Sequence, residues 1–422
     1  MDDLARGLTG RLLLPADADY ARAKLAFLTL YDHRRPAAIA LCETPADVQR
    51  CVEFAAGQGI PVAARSGGHS YAGYSTPDGG LIIDVSQMDT VEVRADGTAV
   101  VGAGARMAGV YEVLGRAGRM LSAGTCPTVG IAGLTLGGGI GVLGRKCGLA
   151  SDQLVAATIV TADGVLRTVS DDDELFWALR GSGGGNFGVV TSFTFRTTPA
   201  EPLTVWSLDY TPDRRPAILN GWQEWQAEVP EEMWSQVRVG RASQVGGCLV
   251  GPDTGLIDDL ARRIGEPRER RHLELDFLDT MRYFADGNGE RAAFVSVSRM
   301  LTGPMDPQAM AELVASGPEL NCLIDSFGGA IARGAGAFPH RDAIASIQVT
   351  NQVRTTVEAA RRELAPVRQR LGEWFGANGF VNYIDPDLPD WRQAYHGSNL
   401  TRLTAIARQY DPHGVFAFAQ GL

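Results

Sequence analysis

The sequence predicts a mixed helix-and-strand protein of the α+β class, and three observations carry that reading. Short apolar runs alternate with helix-period segments between residues 36 and 198. Near residue 200 the texture changes, as tryptophan appears at 206, 222, 225 and 234 and glycine thins. The 51 glycines of this 422-residue chain are also clustered, with 28 of them between Gly57 and Gly188. An ordinary soluble protein carries roughly 7% glycine. Only Lys24 and Lys146 among the 39 basic residues are lysine, a bias of base composition that would raise glycine everywhere but would not cluster it.

Taken in order, residues 38–42 read as a strand. Thr44 is placed to cap the next helix, Pro45 suits its first position and Asp47 its positive end. Val48, Cys51, Val52 and Ala55 then form an i, i+3, i+4, i+7 stripe that must face a core, and Gly57 and Gly59 end it. Strands are expected at 60–65 and 81–85, a hairpin at 91–94 and 98–102 around Asp96-Gly97, and a helix at 105–114. A second hairpin at 155–160 and 166–169 turns at Asp163-Gly164, and a strand follows at 189–195. Beyond residue 200, strands at 203–210 and 293–298 alternate with amphipathic helices. Trp222 and Trp225, three apart, read as core packing. Arg268–Arg271 reads as a solvated helix end, and residues 374–422 as a return to loops and strands. The division expected is 1–200, 201–373 and 374–422.

Composition removes several function classes. No apolar run approaches the ~18–20 residues of a membrane-spanning helix, and the N-terminus lacks the basic and apolar regions of a secretory signal. A net charge of −10 without basic runs argues against nucleic acid, whose binding depends on neutralising phosphates. The six cysteines form no C-x-x-C pair, so reduced thiols are expected and a metal site is not.

The candidate chemistry lies in the glycine-rich loops. Arg65-Ser66-Gly67-Gly68-His69-Ser70-Tyr71 is a strand ending in glycines whose backbone N–H groups can form an anion-binding nest, with His69 beside it. Cys126, in the loop Thr125-Cys126-Pro127-Thr128-Val129-Gly130-Ile131-Ala132-Gly133, is either a small buried hydrophobe or a reactive thiol. Gly139-Ile140-Gly141-Val142-Leu143-Gly144 matches G-x-G-x-x-G, and Asp163 sits near the distance of a ribose acid. That fingerprint needs a strand before and a helix after, and Arg145-Lys146-Cys147-Gly148 interrupts the helix. A third cluster, Gly183-Gly184-Gly185-Asn186-Phe187-Gly188, precedes the strand at 189.

In this order the motifs resemble the berberine-bridge-enzyme-like branch of FAD-linked oxidases, in the vanillyl-alcohol-oxidase superfamily. Phe380-Val381-Asn382-Tyr383 and the ending Tyr410-Asp411-Pro412-His413-Gly414-Val415-Phe416 extend the resemblance across almost the whole chain. It implies a PCMH-type FAD-binding domain of two subdomains, a substrate domain with an antiparallel sheet covered by helices, and a C-terminal return to the FAD domain. It implies FAD bonded covalently through His69, at the 8α-methyl carbon, and Cys126, at C6.

The resemblance further makes Tyr383 the base that takes a proton as hydride leaves an alcohol, sugar or secondary metabolite for flavin N5. A free tyrosine pKa near ~10 is too high for that task at neutral pH, so the phenolate must be stabilised by a second phenol, naturally Tyr71, or by a cation. Phe380 stands where the motif usually has tyrosine. Val129 occupies the position associated with oxygen access, which implies dioxygen as acceptor and hydrogen peroxide as product. Backbone groups of Ser66, Gly67, Gly68 and Ser70 are expected to hold the pyrophosphate, and Arg65 at the strand end is counted among the cofactor-binding residues. Gly130, Gly133, Val189 and Asn382 are expected to make further flavin contacts. Phe327-Gly328-Gly329-Ala330 reads either as the strand facing the isoalloxazine or as a sheet bend. The alternatives are a dehydrogenase of the same fold and a non-catalytic flavin-binding protein. A bacterial cytoplasmic enzyme with a small-molecule substrate is the setting expected; the oligomeric state is not legible.

Overall fold

The computed structural model describes residues 1–285, 289–317 and 319–422. The chain begins with a four-stranded sheet in the order Arg11–Leu13, Ala38–Leu41, Leu81–Asp84, Val62–Arg65. Its last three strands are parallel and the first is antiparallel to its neighbour. The helix Pro45–Gln58 opens on a capping box. Thr44 Oγ1 accepts from the Asp47 N–H at 3.2 Å, and an Asp47 carboxylate oxygen accepts from the Thr44 N–H at 3.1 Å. It stops at Gly59, whose φ of 63° is the left-handed conformation glycine adopts without strain. Val48, Cys51, Val52 and Ala55 are buried against the strands, as their spacing requires.

A second, wholly antiparallel sheet of five strands runs Val91–Val93, Thr98–Gly102, Val189–Arg196, Leu154–Val160, Leu166–Ser170. Both predicted hairpins are present. In the first only Gly97 takes positive φ, 82°, so Asp96 keeps an ordinary conformation and the tip is not a two-residue primed turn. The two sheets share one core that includes Ile83, Val101, Phe193 and Phe195.

From Leu203 onward a seven-stranded antiparallel sheet forms, in the order Glu269–Leu275, Leu203–Asp209, Ser243–Val250, Met233–Val239, Leu320–Ser326, Ala345–Gln352, Phe294–Leu301. The helices Arg215–Gln226, Leu256–Ile264, Pro307–Ala315 and Val357–Phe375 pack on it around a separate core. Trp222 and Trp225 lie in that core, each indole N–H satisfied, by Ser235 Oγ and the Leu256 carbonyl. The molecule is thus an α+β protein with a helix-covered antiparallel sheet.

Two local expectations are corrected. Arg268–Arg271 does not end a helix: Glu269–Leu275 is an edge strand, and its exposed charges protect that open edge from pairing with another chain. Residues 374–422 contain no strand; the segment folds as the helices Trp391–His396 and Leu400–Tyr410 with short 3₁₀ turns. Leu403, Ile406 and Ala407 carry the helical stripe that decides the second of these.

Buried polar contacts lock the two halves together. The buried Arg145 donates to the carbonyls of Gln226, Val229 and Phe327. Arg341 grips Asp152 with two bonds of 2.7 Å, the side chains being 16% and 9% exposed. Removing one partner of such a pair strands the other charge at a cost of about 3–5 kcal/mol. Asp152→Ala should therefore lower unfolding stability by about that amount in denaturant titration; a loss under about 1 kcal/mol, the size of an exposed pair, would mean the pair does not clamp the halves.

Candidate functional site

Two glycines determine where the site lies. The strand Val62–Arg65 ends in the loop that carries His69, and the loop that carries Cys126 leads into the helix Ile131–Leu136. The loops meet backbone to backbone: a Cβ on Gly67 would lie 2.2 Å from the Gly130 nitrogen, and one on Gly130 would lie 2.3 Å from the Gly67 nitrogen. No other residue permits this approach. Ser66 Oγ donates to the Ala103 carbonyl at 2.6 Å, and the Ile131 N–H donates to the Ala105 carbonyl at 2.9 Å, fastening both loops to the same neighbouring segment.

Between these loops, the edge of the large sheet and the C-terminal segment lies a cavity of about 630 Å³, within the range of cofactor and ligand sites. All the expected site residues line it: Arg65, Ser66, Gly67, Gly68, His69, Ser70, Tyr71, Cys126, Val129, Gly130, Gly133, Val189, Asn382 and Tyr383. For Arg65 the side chain points elsewhere. Its guanidinium is buried on Asp84 at 2.7 Å and on the Ala23 and Lys24 carbonyls, so it offers the cavity no charge.

The His69 ring stacks on Phe27 with centroids 4.0 Å apart, and its Nε2 lies 3.0 Å from Thr128 Oγ1. Burial, reinforced by the nearby Arg106 cation, pushes its pKa down to about 4. The imidazole is therefore neutral and nucleophilic at ordinary pH. The sulfur of Cys126, half-buried, is 3.7 Å from the same Thr128 hydroxyl. Val129 follows, its carbonyl held by the Met107 N–H.

Across the cavity Tyr71 and Tyr383 stack with ring centroids 5.8 Å apart, and Phe380 meets Tyr383 edge-on at 4.9 Å. Phe380 is itself buried, so it acts as a packing wall. The Tyr71 oxygen accepts from Gln348 Nε2 at 3.1 Å. Burial raises the Tyr71 phenol to about 12, against the Gln348 hydrogen bond. Tyr383 is raised well above its ordinary value, by burial first and then by Asp325 and Tyr71. The expected second phenol is in place, but the charged group acting on Tyr383 is the buried Asp325, itself raised to about 6 by burial, and not a cation.

Asn382 reaches the site because Gly137 is bare. A Cβ there would lie 2.0 Å from Asn382 Oδ1, and Asn382 Nδ2 donates to the Leu134 carbonyl at 2.8 Å. Gly183 likewise abuts Val381. The glycine triplets are thus where the C-terminal segment docks.

Sequence reasoning missed the opposite wall. Gln348, Thr350 and Gln352 line the cavity from one face of the strand Ala345–Gln352, while Ile347 and Val349 on the other face join the helix-side core. This period-two alternation is present in the sequence and was the available signal. Phe294, paired with Gln352 across the sheet, and Phe27 were not foreseen either. The G-x-G-x-x-G stretch is not a dinucleotide fingerprint: only the four-residue helix Gly144–Cys147 follows it, and Asp163 is engaged by Arg167 and Thr161. Phe327-Gly328-Gly329 is the bend that ends the strand Leu320–Ser326, with φ of 89° and 56° at its glycines, and does not line the cavity.

The residues present fit a flavin dinucleotide. The cradle is free of Cβ atoms where the loops cross, and a Cβ at Gly133 would enter open space. At the cavity wall a neutral imidazole and a thiol lie 3.0 Å and 3.7 Å from one hydroxyl. Comparison with known proteins agrees. The FAD binding domain family matches residues 36–170, and the Berberine and berberine like family matches residues 379–422. The chain is 32% identical to the uncharacterized FAD-linked oxidoreductase YgaK of Bacillus subtilis, covering 98% of this chain and 97% of that one. It is 37% identical to the glucooligosaccharide oxidase of Sarocladium strictum, covering 90% and 86%. Among solved structures, the glucooligosaccharide oxidase of Acremonium strictum, described with a 6-S-cysteinyl, 8α-N1-histidyl FAD, superposes with a TM-score of 0.89 at 25% identity, covering 98% and 96%.

Gly130→Ala and Gly67→Ala should each force the loops apart, lowering stability by about 1–3 kcal/mol and depleting bound flavin. Gly57→Ala is the control, because its Cβ meets nothing within 4 Å inside a helix, and it should be neutral or stabilising. Flavin-to-protein ratios and unfolding curves for the three variants check this; full flavin content in Gly130→Ala would contradict the close approach of the two loops as the reason for both glycines.

Proposed function

The chain belongs to the berberine-bridge-enzyme-like FAD-linked oxidoreductases, and on that premise we propose that it is a bicovalent oxidase of a sugar or related alcohol that reduces dioxygen to hydrogen peroxide. The observation that carries this reading is the convergence of His69 and Cys126 on the one Thr128 hydroxyl inside the cavity. The 6-S-cysteinyl, 8α-N1-histidyl FAD of the Acremonium strictum oxidase supports it; the choice of dioxygen rests on the resemblance at Val129, which lies in the cavity wall.

The chain's own groups divide the work. Backbone N–H groups of Ser66, Gly67, Gly68 and Ser70 hold the pyrophosphate, a task that needs no side-chain cation. His69 and Cys126 tether the ring, and Val189 and Asn382 bound it. When bound, FAD supplies the two-electron acceptor and passes those electrons to dioxygen. Tyr383 accepts the proton of the substrate hydroxyl. Because the Tyr71 oxygen already accepts from Gln348, the Tyr71 proton is available to a Tyr383 phenolate. Gln348, Thr350 and Gln352 present neutral donors and acceptors, and Phe294 and Tyr71 present aromatic faces, a surface suited to the hydroxyls and apolar ring faces of a sugar.

The sign of the pH dependence follows. The reactive form of Tyr383 is the phenolate, burial holds its pKa above the ordinary value, and below its pKa the phenolate fraction rises tenfold per pH unit. Flavin reduction by substrate should therefore accelerate from neutral into alkaline pH. Tyr383→Phe should remove that limb and slow reduction by about 10²–10⁴-fold while leaving flavin bound; unchanged reduction in stopped flow would remove Tyr383 from the mechanism.

The cofactor is tested by acid precipitation. Colour should stay with the protein in the wild type and in His69→Ala or Cys126→Ala, and should leave only when both residues are changed. With the imidazole neutral above about pH 4, attachment of FAD to apoprotein should show no His69 titration between about pH 6 and 8. Peroxide formation under air, screened over oligosaccharides and simple alcohols, separates the oxidase from a dehydrogenase and from a binding protein.

A further inference from the structure

The Thr128 side chain contacts both proposed attachment residues. Its Oγ1 lies 3.0 Å from His69 Nε2 and 3.7 Å from Cys126 Sγ, and its backbone also hydrogen-bonds the imidazole. Resting on the bicovalent reading, we propose that Thr128 is a positioning residue for cofactor attachment: it presents His69 Nδ1 to the flavin and then satisfies His69 Nε2 once Nδ1 is bonded.

Donors and acceptors decide which nitrogen reacts. A neutral imidazole has one N–H and one lone pair, and the nitrogen that keeps its lone pair is the nucleophile. Stacking on Phe27 fixes the ring plane, and the Thr128 hydroxyl oxygen, 3.0 Å from Nε2, favours the tautomer with the proton there. Nδ1 is then left to attack. Bonding forms N–C at Nδ1 and breaks a C–H of the 8α-methyl group. The methyl proton and the Nε2 proton are released, and the two electrons left on the isoalloxazine pass to dioxygen, which takes the two protons to become hydrogen peroxide. Cys126 follows the same balance, with S–C6 replacing S–H and C6–H.

After attachment the demand at Nε2 reverses. Without its proton Nε2 is an acceptor, and a carbonyl cannot donate to it. A hydroxyl can, and its remaining lone pairs still accept from the Cys126 thiol. A side-chain hydroxyl therefore serves both states of His69 and orients the second thiol, which neither valine nor an amide carbonyl does.

The test uses holoenzyme labelled with ¹⁵N-histidine, as wild type, Thr128→Val and Thr128→Ser. Titration of the linked imidazole by NMR is the readout, and a merely structural role would not move it. With no hydroxyl left to donate to the unprotonated Nε2, Thr128→Val should favour the protonated ring. It should take up its proton at least about tenfold more readily, one pH unit higher, and a smaller share of its flavin should carry the cysteinyl bond. Thr128→Ser should return both to wild type. A valine variant that titrates and attaches like wild type overturns the proposal; Thr128→Ala repeats the comparison should the valine variant not fold. Yellow colour in the acid supernatant of the wild type would instead bring down the bicovalent reading itself, before any titration.

Discussion

The backbone contact between Gly67 and Gly130 is the constraint on which the rest of the site depends. It sets the separation of the His69 and Cys126 loops, both of which line the cavity, with no side chain between them where they cross. Interiors are close-packed and do not yield to an added methyl group without cost. The same device recurs where the C-terminal segment arrives, with Gly137 cleared for Asn382 and Gly183 for Val381. Glycine here is a means of bringing distant chain segments within hydrogen-bonding distance.

Charge is managed as closely as space. Arg65 and Asp84 neutralise each other beneath the first loop, and Arg145 is held by carbonyls at the junction of the halves. His69 is neutral because burial and Arg106 disfavour its cation. Asp325, beside the phenols, keeps its proton up to about 6 because burial penalises its anion. With Arg65 turned away, Glu290 is the carboxylate left in the cavity lining, beside the neutral side chains Gln348 and Thr350 that offer polar recognition. Burial that protects the phenols also makes them poor bases at rest, so the hydrogen bond from Gln348 to Tyr71 matters beyond its modest individual strength.

Much of the framework was legible in the sequence, because it rests on local rules. Thr44, Pro45 and Asp47 announce a helix start, and the Val48–Ala55 stripe announces its buried face. The glycine loops and the two reactive residues within them are contiguous motifs. Legibility failed where the deciding contact is remote. Arg268–Arg271 has no local mark of a strand; pairing with Leu203–Asp209 makes it one. Gln348 looks like any exposed polar residue until the sheet turns that face toward Tyr71, 277 positions away.

The sequence by itself determined the α+β alternation and the glycine loops, since turn chemistry and periodicity belong to short stretches of chain, and its ordered motifs marked His69, Cys126 and Tyr383 as candidates through their resemblance to a family. Only the tertiary structure decided that Thr128 touches both attachment residues, that Arg65 turns away from the cavity, and that Asp325 rather than a cation acts on Tyr383. These outcomes depend on distances and burial between segments far apart in sequence. A local pattern carries no information about what will pack against it.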